Sequence, residues 1–490
     1  MKRFFLCFLV VFCLCFSGCG DSFEKTAKGL NTYTINAVFD EETKILHAVQ
    51  SVEYSNNTEI VIENLPFHLY PNAFRQGAKY KPVSLAAESR AYPNGIDYGY
   101  IDIQKVVVNN QEIETKIVGE DANILQVFVG QLYPDDNVKI QIEYDVKLAN
   151  CKHRLGYGDN TYNFGNFYPI ACVYENGEFM QKPYSYNGDP FYSEMANYNV
   201  SLKVDNDFVV ASSGEQKEIV KSDNTTTYNI SAKCVRDFAF VLSKDFQVAS
   251  KKVNDTVVSY YYFEDENYAK SLDSSCLSLS CFERLFGDYP YSTLSVCESD
   301  FLHGGMEYPN LVYISNDVTD YAEYTNVIIH EIAHQWWYGI VGNNEYDEPW
   351  LDEALAEMSC LMFYDENPSY NISTSGKKNL LVSNYGMFVD VFKAVYGSVN
   401  ECMTRSLDEY ISETEYTYIT YVKGNIMLAD LQEFVGKKRF EKALKKYYST
   451  YKYKIAKGDD FISCFANVCG KEAGSFIKSY LNGSAKITIK

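Results

Sequence analysis

Residues 330–357 read HEIAHQWWYGIVGNNEYDEPWLDEALAE. His330 and His334 are four apart, inside a stretch whose apolar residues Val327, Ile328, Ile329, Ile332, Trp336 and Trp337 recur with helical spacing. Residues four apart share a helix face, so both imidazoles can reach one ion. Glu331 is offset from that pair and can touch a water on the ion without binding the ion itself. These are the mechanics of an HExxH zinc site. Only six histidines occur in 490 residues, which makes the pattern specific. A catalytic zinc takes a third protein ligand and leaves a fourth position open. The segment after the motif predicts a second helix over 349–364, with Asp347 as its cap and Pro349 in its first turn. That helix offers Asp352, Glu353 and Glu357. Spacing alone leaves Asp352 and Glu353 open as third ligand. Glu357 is read either as a group holding a ligand histidine or as a solvated helix glutamate.

Working outward, most of the chain after about residue 248 keeps helical spacing, as at 267–286, 320–338, 418–434 and 438–448, following a short strand at 257–263. The preceding residues differ. From about 32 to 248, short runs rich in β-branched and aromatic residues, among them 59–62, 105–108, 138–144, 199–204 and 238–242, are separated by Asn, Asp and Gly turns. The expectation is an α+β multidomain chain: an all-β domain over 19–248, then a mostly helical catalytic domain over 249–490.

The N-terminus reads as a targeting segment. Lys2 and Arg3 precede an apolar run over 4–16, too short for a comfortable membrane span and right for the core of a signal peptide over 1–18. Ser17 and Gly18 before Cys19 resemble a bacterial lipobox, which would make Cys19 the lipidated residue and the mature protein a membrane-anchored lipoprotein facing outward. Phe16 departs from the usual leucine of that motif. The formal net charge of −21 argues against nucleic acid as a partner. Of 14 cysteines, ten lie beyond Cys19, and no pair has CxxC spacing, so a cysteine zinc site is not expected.

With these motifs in hand, the stretch 330–357 resembles the gluzincin zinc aminopeptidases, the family of aminopeptidase N and leukotriene hydrolase. In that pattern eighteen residues separate HExxH from a glutamate ligand, and Glu353 stands there. GGMEY at 304–308 is similar to the family's exopeptidase motif, and YVKG at 421–424 to its tyrosine motif. LPFHLYPNAF at 65–74 and RDFAFVLS at 236–243 are similar to its β-domain. The resemblance implies a saddle-like N-terminal β-domain and a thermolysin-like catalytic domain. It implies one zinc on His330, His334 and Glu353, with Glu331 as general base and Tyr421 stabilising the oxyanion. Glu307 would bind the free α-amine of a peptide, and Gly304, Gly305 and Met306 would line its path. A second amine-binding group is expected from the β-domain near 159–167. Tyr308 departs from the asparagine that ends the family's motif. Larger relatives carry a further helical domain after the catalytic one, so a more open cleft is expected here. The expected activity is removal of N-terminal residues from peptides. A zinc endopeptidase, an epoxide hydrolase as in one branch of the family, and a non-catalytic surface-binding lipoprotein are the competing readings.

Overall fold

The computed structural model describes residues 19–487. The expected signal peptide lies outside the described residues. Cys19 opens a helix, Cys19–Lys28.

Alternation builds the first half. In Asn31–Asp40 the side chains of Tyr33, Ile35, Ala37 and Phe39 are buried and those between them face outward, the period-two pattern of a half-buried strand. This strand is central to an eight-stranded sheet. It runs antiparallel to Ile45–Ser55 and parallel to Ala196–Asp205, and Asn137–Lys147, Tyr100–Val108 and Thr225–Val235 extend the sheet on either side. Two four-stranded sheets accompany it. One is centred on Phe240–Ser243 and Tyr162–Phe164, the other on Ile62–His68 and Ile124–Leu132. The strand expected at 59–62 starts only at Ile62. Asn56 claims the preceding residues for a turn, donating from Nδ2 to the Ile60 carbonyl and accepting from the Thr58 amide.

A five-stranded sheet opens the second half, in the order Gln247–Val253, Thr256–Tyr262, Thr293–Ser299, Leu311–Ser315, Gly305–Met306. Residue 248 falls inside the first of these strands. Gly305–Met306 is the edge strand and pairs antiparallel with Leu311–Ser315. Helices Tyr268–Phe286, Tyr321–Ala333 and Trp350–Glu366 pack beside it, followed by Thr374–Tyr396, Lys423–Val435, Lys437–Tyr451, Gly458–Cys469 and Lys471–Leu481. The helix expected over 320–338 stops at Ala333, with Asp320 capping its start by accepting from the Glu323 amide. Beyond it the chain turns sharply, and Tyr338 takes a positive φ of 116°. Trp336 and Trp337 are pinned to Gly287 and Ser359 through their indole N–H groups. The cap of Trp350–Glu366 is Pro349 rather than Asp347. The Asp347 carboxylate instead accepts from Lys182 and Asn344. The ten cysteines from Cys151 to Cys469 are free thiols.

Candidate metal and peptide site

The two histidines, the glutamate between them and Glu353 converge between helices Tyr321–Ala333 and Trp350–Glu366. His330 Nε2 and His334 Nε2 lie 3.1 Å apart, and Glu353 Oε2 is 3.2 Å from the first and 3.3 Å from the second. Donors about 2.05 Å from a tetrahedral zinc are separated by about 3.3 Å, so the triangle has the size of one zinc face. The remaining ring nitrogens are also held. His330 Nδ1 is 3.1 Å from Glu357 Oε1, and His334 Nδ1 donates to the Trp337 carbonyl at 2.9 Å. That carbonyl is available only because the helix has already ended. Both rings thus aim Nε2 at the same point, the arrangement that sets the tautomer of metal-binding histidines. Asp352, the other candidate third ligand, turns away. It accepts from Asn343 at 2.9 Å and comes only within 3.9 Å of His334 Nδ1.

Burial pushes the Glu331 carboxyl up to about 7, against the pull of His330 and His334. One of its oxygens is buried without a hydrogen-bond partner. The side chain lies against Gly305, where a Cβ would come within 2.3 Å of Glu331 Oε1. Glycine is therefore required there by the general-base candidate itself. Gly304 is different: a Cβ would meet only Val327, at 3.5 Å, and its exposed backbone faces the cavity. Met306 is buried beneath the edge strand.

Tyr421 sits in a π-helical turn, Tyr418–Val422, and its hydroxyl donates to Glu353 Oε1. A widened turn of this kind moves one side chain out of register with its helix. Tyr418, one turn earlier, stacks flat on Phe388 with ring centres 4.6 Å apart and does not line the cavity.

Glu307 follows the edge strand directly. It is 4% exposed, and its Oε1 has no hydrogen-bond partner among the described residues. Burial, then the neighbouring Asp189 carboxylate, holds its carboxyl well above the usual range. Carboxylate oxygens of Asp189, Glu307 and Glu353 lie within 4.8 Å of one another. Asp189 is the β-domain's contribution, held by Arg154 Nη2 at 2.7 Å. A second polar group beside Glu307 was expected from near 159–167, and the group the structure brings there is the Asp189 carboxylate. Its only sequence signal is an aspartate between Gly188 and Pro190, too common a context to single out. Residues 159–167 supply a support. Tyr308 donates to Asn166 Oδ1 at 2.6 Å, Asn166 donates to Asp237 at 2.5 Å, and Asp237 also accepts from Tyr168. Gly165 makes room for this contact, since a Cβ there would overlap the Tyr308 hydroxyl. The departure at Tyr308 thus ties the edge strand to the β-domain from below and leaves Glu307 free above. Asp189, Glu307, Glu331, Tyr421 and the triangle of His330, His334 and Glu353 border one cavity of about 430 Å³.

Residues 270–480 match the model described as the peptidase family M1 domain. The similarity to that family thus falls within the helical half of the chain. The chain is 24% identical over 404 residues to aminopeptidase N of Lactococcus lactis subsp. lactis, covering 78% of this chain and 46% of that protein. It is 27% identical over 215 residues to human endoplasmic reticulum aminopeptidase 2, covering 41% and 21%. The chain thus spans less than half the length of these relatives. The crystal structure of an M1 zinc metallopeptidase from Deinococcus radiodurans superposes with a TM-score of 0.66 at 13% identity, covering 94% of this chain and 95% of that one. That likeness extends the shared fold from the M1 domain to the all-β half.

Proposed function

We propose that the protein is an exported zinc aminopeptidase that removes N-terminal residues from peptides. One observation carries the reading. A buried, unpaired Glu307 and the β-domain's Asp189 stand beside the triangle of His330, His334 and Glu353. Carboxylates gathered there disfavour one another and are stabilised by a cation. A peptide's free α-ammonium is such a cation, and it places the first peptide bond at the triangle. The relatives named aminopeptidase, and a Deinococcus radiodurans neighbour described as bound to a Tyr-Ser-Ala substrate, support the same reading.

The donor set fits one zinc, held by His330, His334 and Glu353. Such an ion supplies Lewis acidity and lowers the pKa of a water in its open position. The chain's own groups do the rest. Glu331 takes a proton from the attacking water and returns it to the leaving amine, a task suited to a carboxyl held near neutrality. Tyr421 donates its hydroxyl to the oxyanion that develops on the scissile carbonyl. Gly304 and Gly305 let the substrate backbone run along the edge strand. Export and a lipid on Cys19 belong to the same proposal and rest on residues 2–19. No helix of the described residues is long and apolar enough to cross a membrane.

An endopeptidase has no use for Glu307 and Asp189, since an internal peptide bond brings no cation to them. A binding protein has no use for Glu331 and Tyr421. The test compares a free and an N-acetylated peptide of the same sequence, each with and without a chelator. The ammonium–carboxylate contact is worth roughly 1.5–3 kcal/mol, so the acetylated peptide should be cleaved at least about tenfold more slowly. The chelator should stop cleavage and zinc restore it. Equal cleavage of both peptides would remove the aminopeptidase reading, and full activity in metal-free protein would remove the zinc.

A further inference from the structure

Within this acidic chain one segment is strongly basic. Nine of the 44 lysines and arginines fall in residues 437–457, against one of the 65 acidic residues. The helix Lys437–Tyr451 carries six of the nine. It buries Phe440, Ala443, Leu444, Tyr447 and Tyr448 and packs against Tyr268–Phe286, Lys423–Val435 and Gly458–Cys469. Its other face is exposed and presents Lys438, Arg439, Lys442, Lys445 and Lys446. At about 100° per residue these five fall within an arc of about 120°. Lys437, at the helix start, is held by Glu366 at 3.0 Å, and Glu441, the one acid, stands 4.0 Å from the same lysine and outside the arc. Among the described residues the five basic groups form no ion pair.

A row of lysines on a helix is ordinarily a solvated face. A second feature singles this one out, its place beside the segment that follows Cys19. The helix Cys19–Lys28 is docked on the body of the protein. The Phe23 ring meets Tyr291 and Tyr453 edge-on, with ring centres 6.1 and 5.9 Å apart, and Asn197 Nδ2 donates to the Ala27 carbonyl at 2.8 Å. Tyr453 lies two residues past the end of the basic helix, and Phe23 lies four residues after Cys19, about 6 Å along a helix axis. No slack chain separates Cys19 from the end of the basic helix.

We propose that the exposed face of Lys437–Tyr451 rests on the anionic surface of the membrane that holds the protein. This goes beyond peptide cleavage and rests on the lipid anchor of the proposed function. Acyl chains fix one point of a protein to a bilayer and leave it free to swivel. A formal charge of −21 makes most of its faces poor neighbours for anionic headgroups. Screening confines that interaction to about 8 Å, so only the face turned to the bilayer counts. The basic face beside the anchor is attracted, each lysine or arginine near the surface strengthening binding about fivefold. A lipid joined to a polybasic surface is also a pairing that makes anchoring stable.

The experiment uses the mature protein with Cys19→Ser, so that no lipid contributes. It is sedimented with vesicles of phosphatidylcholine alone or mixed with an equal part of phosphatidylglycerol. Binding to the mixed vesicles should exceed binding to the neutral ones at least about tenfold and disappear at high salt. The combined variant Lys438→Glu, Lys442→Glu, Lys445→Glu, Lys446→Glu should abolish the excess, and glutamine at the same four positions should reduce it. An equal charge change on the all-β half, through glutamate at the exposed Lys116, Lys139, Lys203 and Lys221, should leave it. Circular dichroism checks that each variant is folded. Equal sedimentation of the wild type with both vesicles overturns the proposal. So does equal loss of binding in the β-half variant, which would make net charge the cause and not this helix. Retention of the wild type on immobilised polyphosphate but not on vesicles also overturns it, in favour of a polyanionic chain. A mature N-terminus without acyl chains removes the lipid anchor, while vesicle binding that follows the four lysines still upholds the basic face as a membrane contact.

Discussion

His330 Nδ1 lies 3.1 Å from Glu357 Oε1, and the other oxygen of Glu357 accepts from Asn425 Nδ2, also at 3.1 Å. Asn425 is one helical turn beyond Tyr421, so a single carboxylate connects His330 to the helix that continues from the turn carrying Tyr421. Glu357→Ala should weaken zinc binding by about 10- to 100-fold while the chain stays folded, because the ring loses the partner that fixes its tautomer. Competition with a chromogenic chelator reads the affinity. An unchanged value would mean that packing alone orients His330.

Glu331→Gln should retain zinc and lose at least about a hundredfold in kcat, since the ligands remain and the base does not. Gly305→Ala tests the same group from the other side. Its Cβ would displace the Glu331 carboxylate, so kcat should fall with zinc content unchanged. Metal analysis alongside steady-state rates separates these outcomes. Near-normal turnover in the glutamine variant would reassign the base.

The two tyrosines of the π-helical turn make opposite predictions. Tyr421→Phe should lower kcat by about a hundredfold with a smaller change in KM, because its hydroxyl acts on charge that develops in the transition state. Tyr418→Phe should leave kcat near the wild-type value, since that ring is stacked on Phe388 away from the cavity. A reversed pattern would show that the register of the turn differs from the one described.

Tyr308→Phe removes the hydroxyl that Asn166 accepts in a fully buried setting. Leaving that oxygen unsatisfied should cost about 1–3 kcal/mol of stability. Urea unfolding measures it. A loss within error would mean that Asn166 finds another donor.

Cys19→Ser should release the protein into the medium or leave its precursor uncleaved. Mass spectrometry of the mature N-terminus decides this. A start elsewhere than Cys19, or a residue 19 without acyl chains, would refute the lipid anchor.

Much of this site could be read from sequence because helix periodicity fixes which residues share a face. His330 and His334 had to lie together, and the structure brings Glu353 to them. The choice of Glu353 over Asp352 was beyond spacing, since it depends on Asn343 drawing the aspartate away. The helix expected to run through Tyr338 is cut at Ala333 by tertiary anchoring of two tryptophans that local propensity does not register. Asp189 was missed for a further reason. It reaches the cavity on an irregular loop 118 positions before Glu307, and no period links the two. The all-β half was legible as alternation, and the structure adds which strands are neighbours, including the parallel pairing of Asn31–Asp40 with Ala196–Asp205.

Asp189 comes from one half of the chain, and His330, His334, Glu331 and Tyr421 come from the other. Under the proposed aminopeptidase function, part of the site that holds the peptide's N-terminus is thereby carried apart from the hydrolytic groups. Under that reading, exchanging the all-β half for that of a relative would alter how a peptide's N-terminus is held and leave the triangle's own residues in place. Change in diet and loss of catalysis are separate mutational events in such a protein.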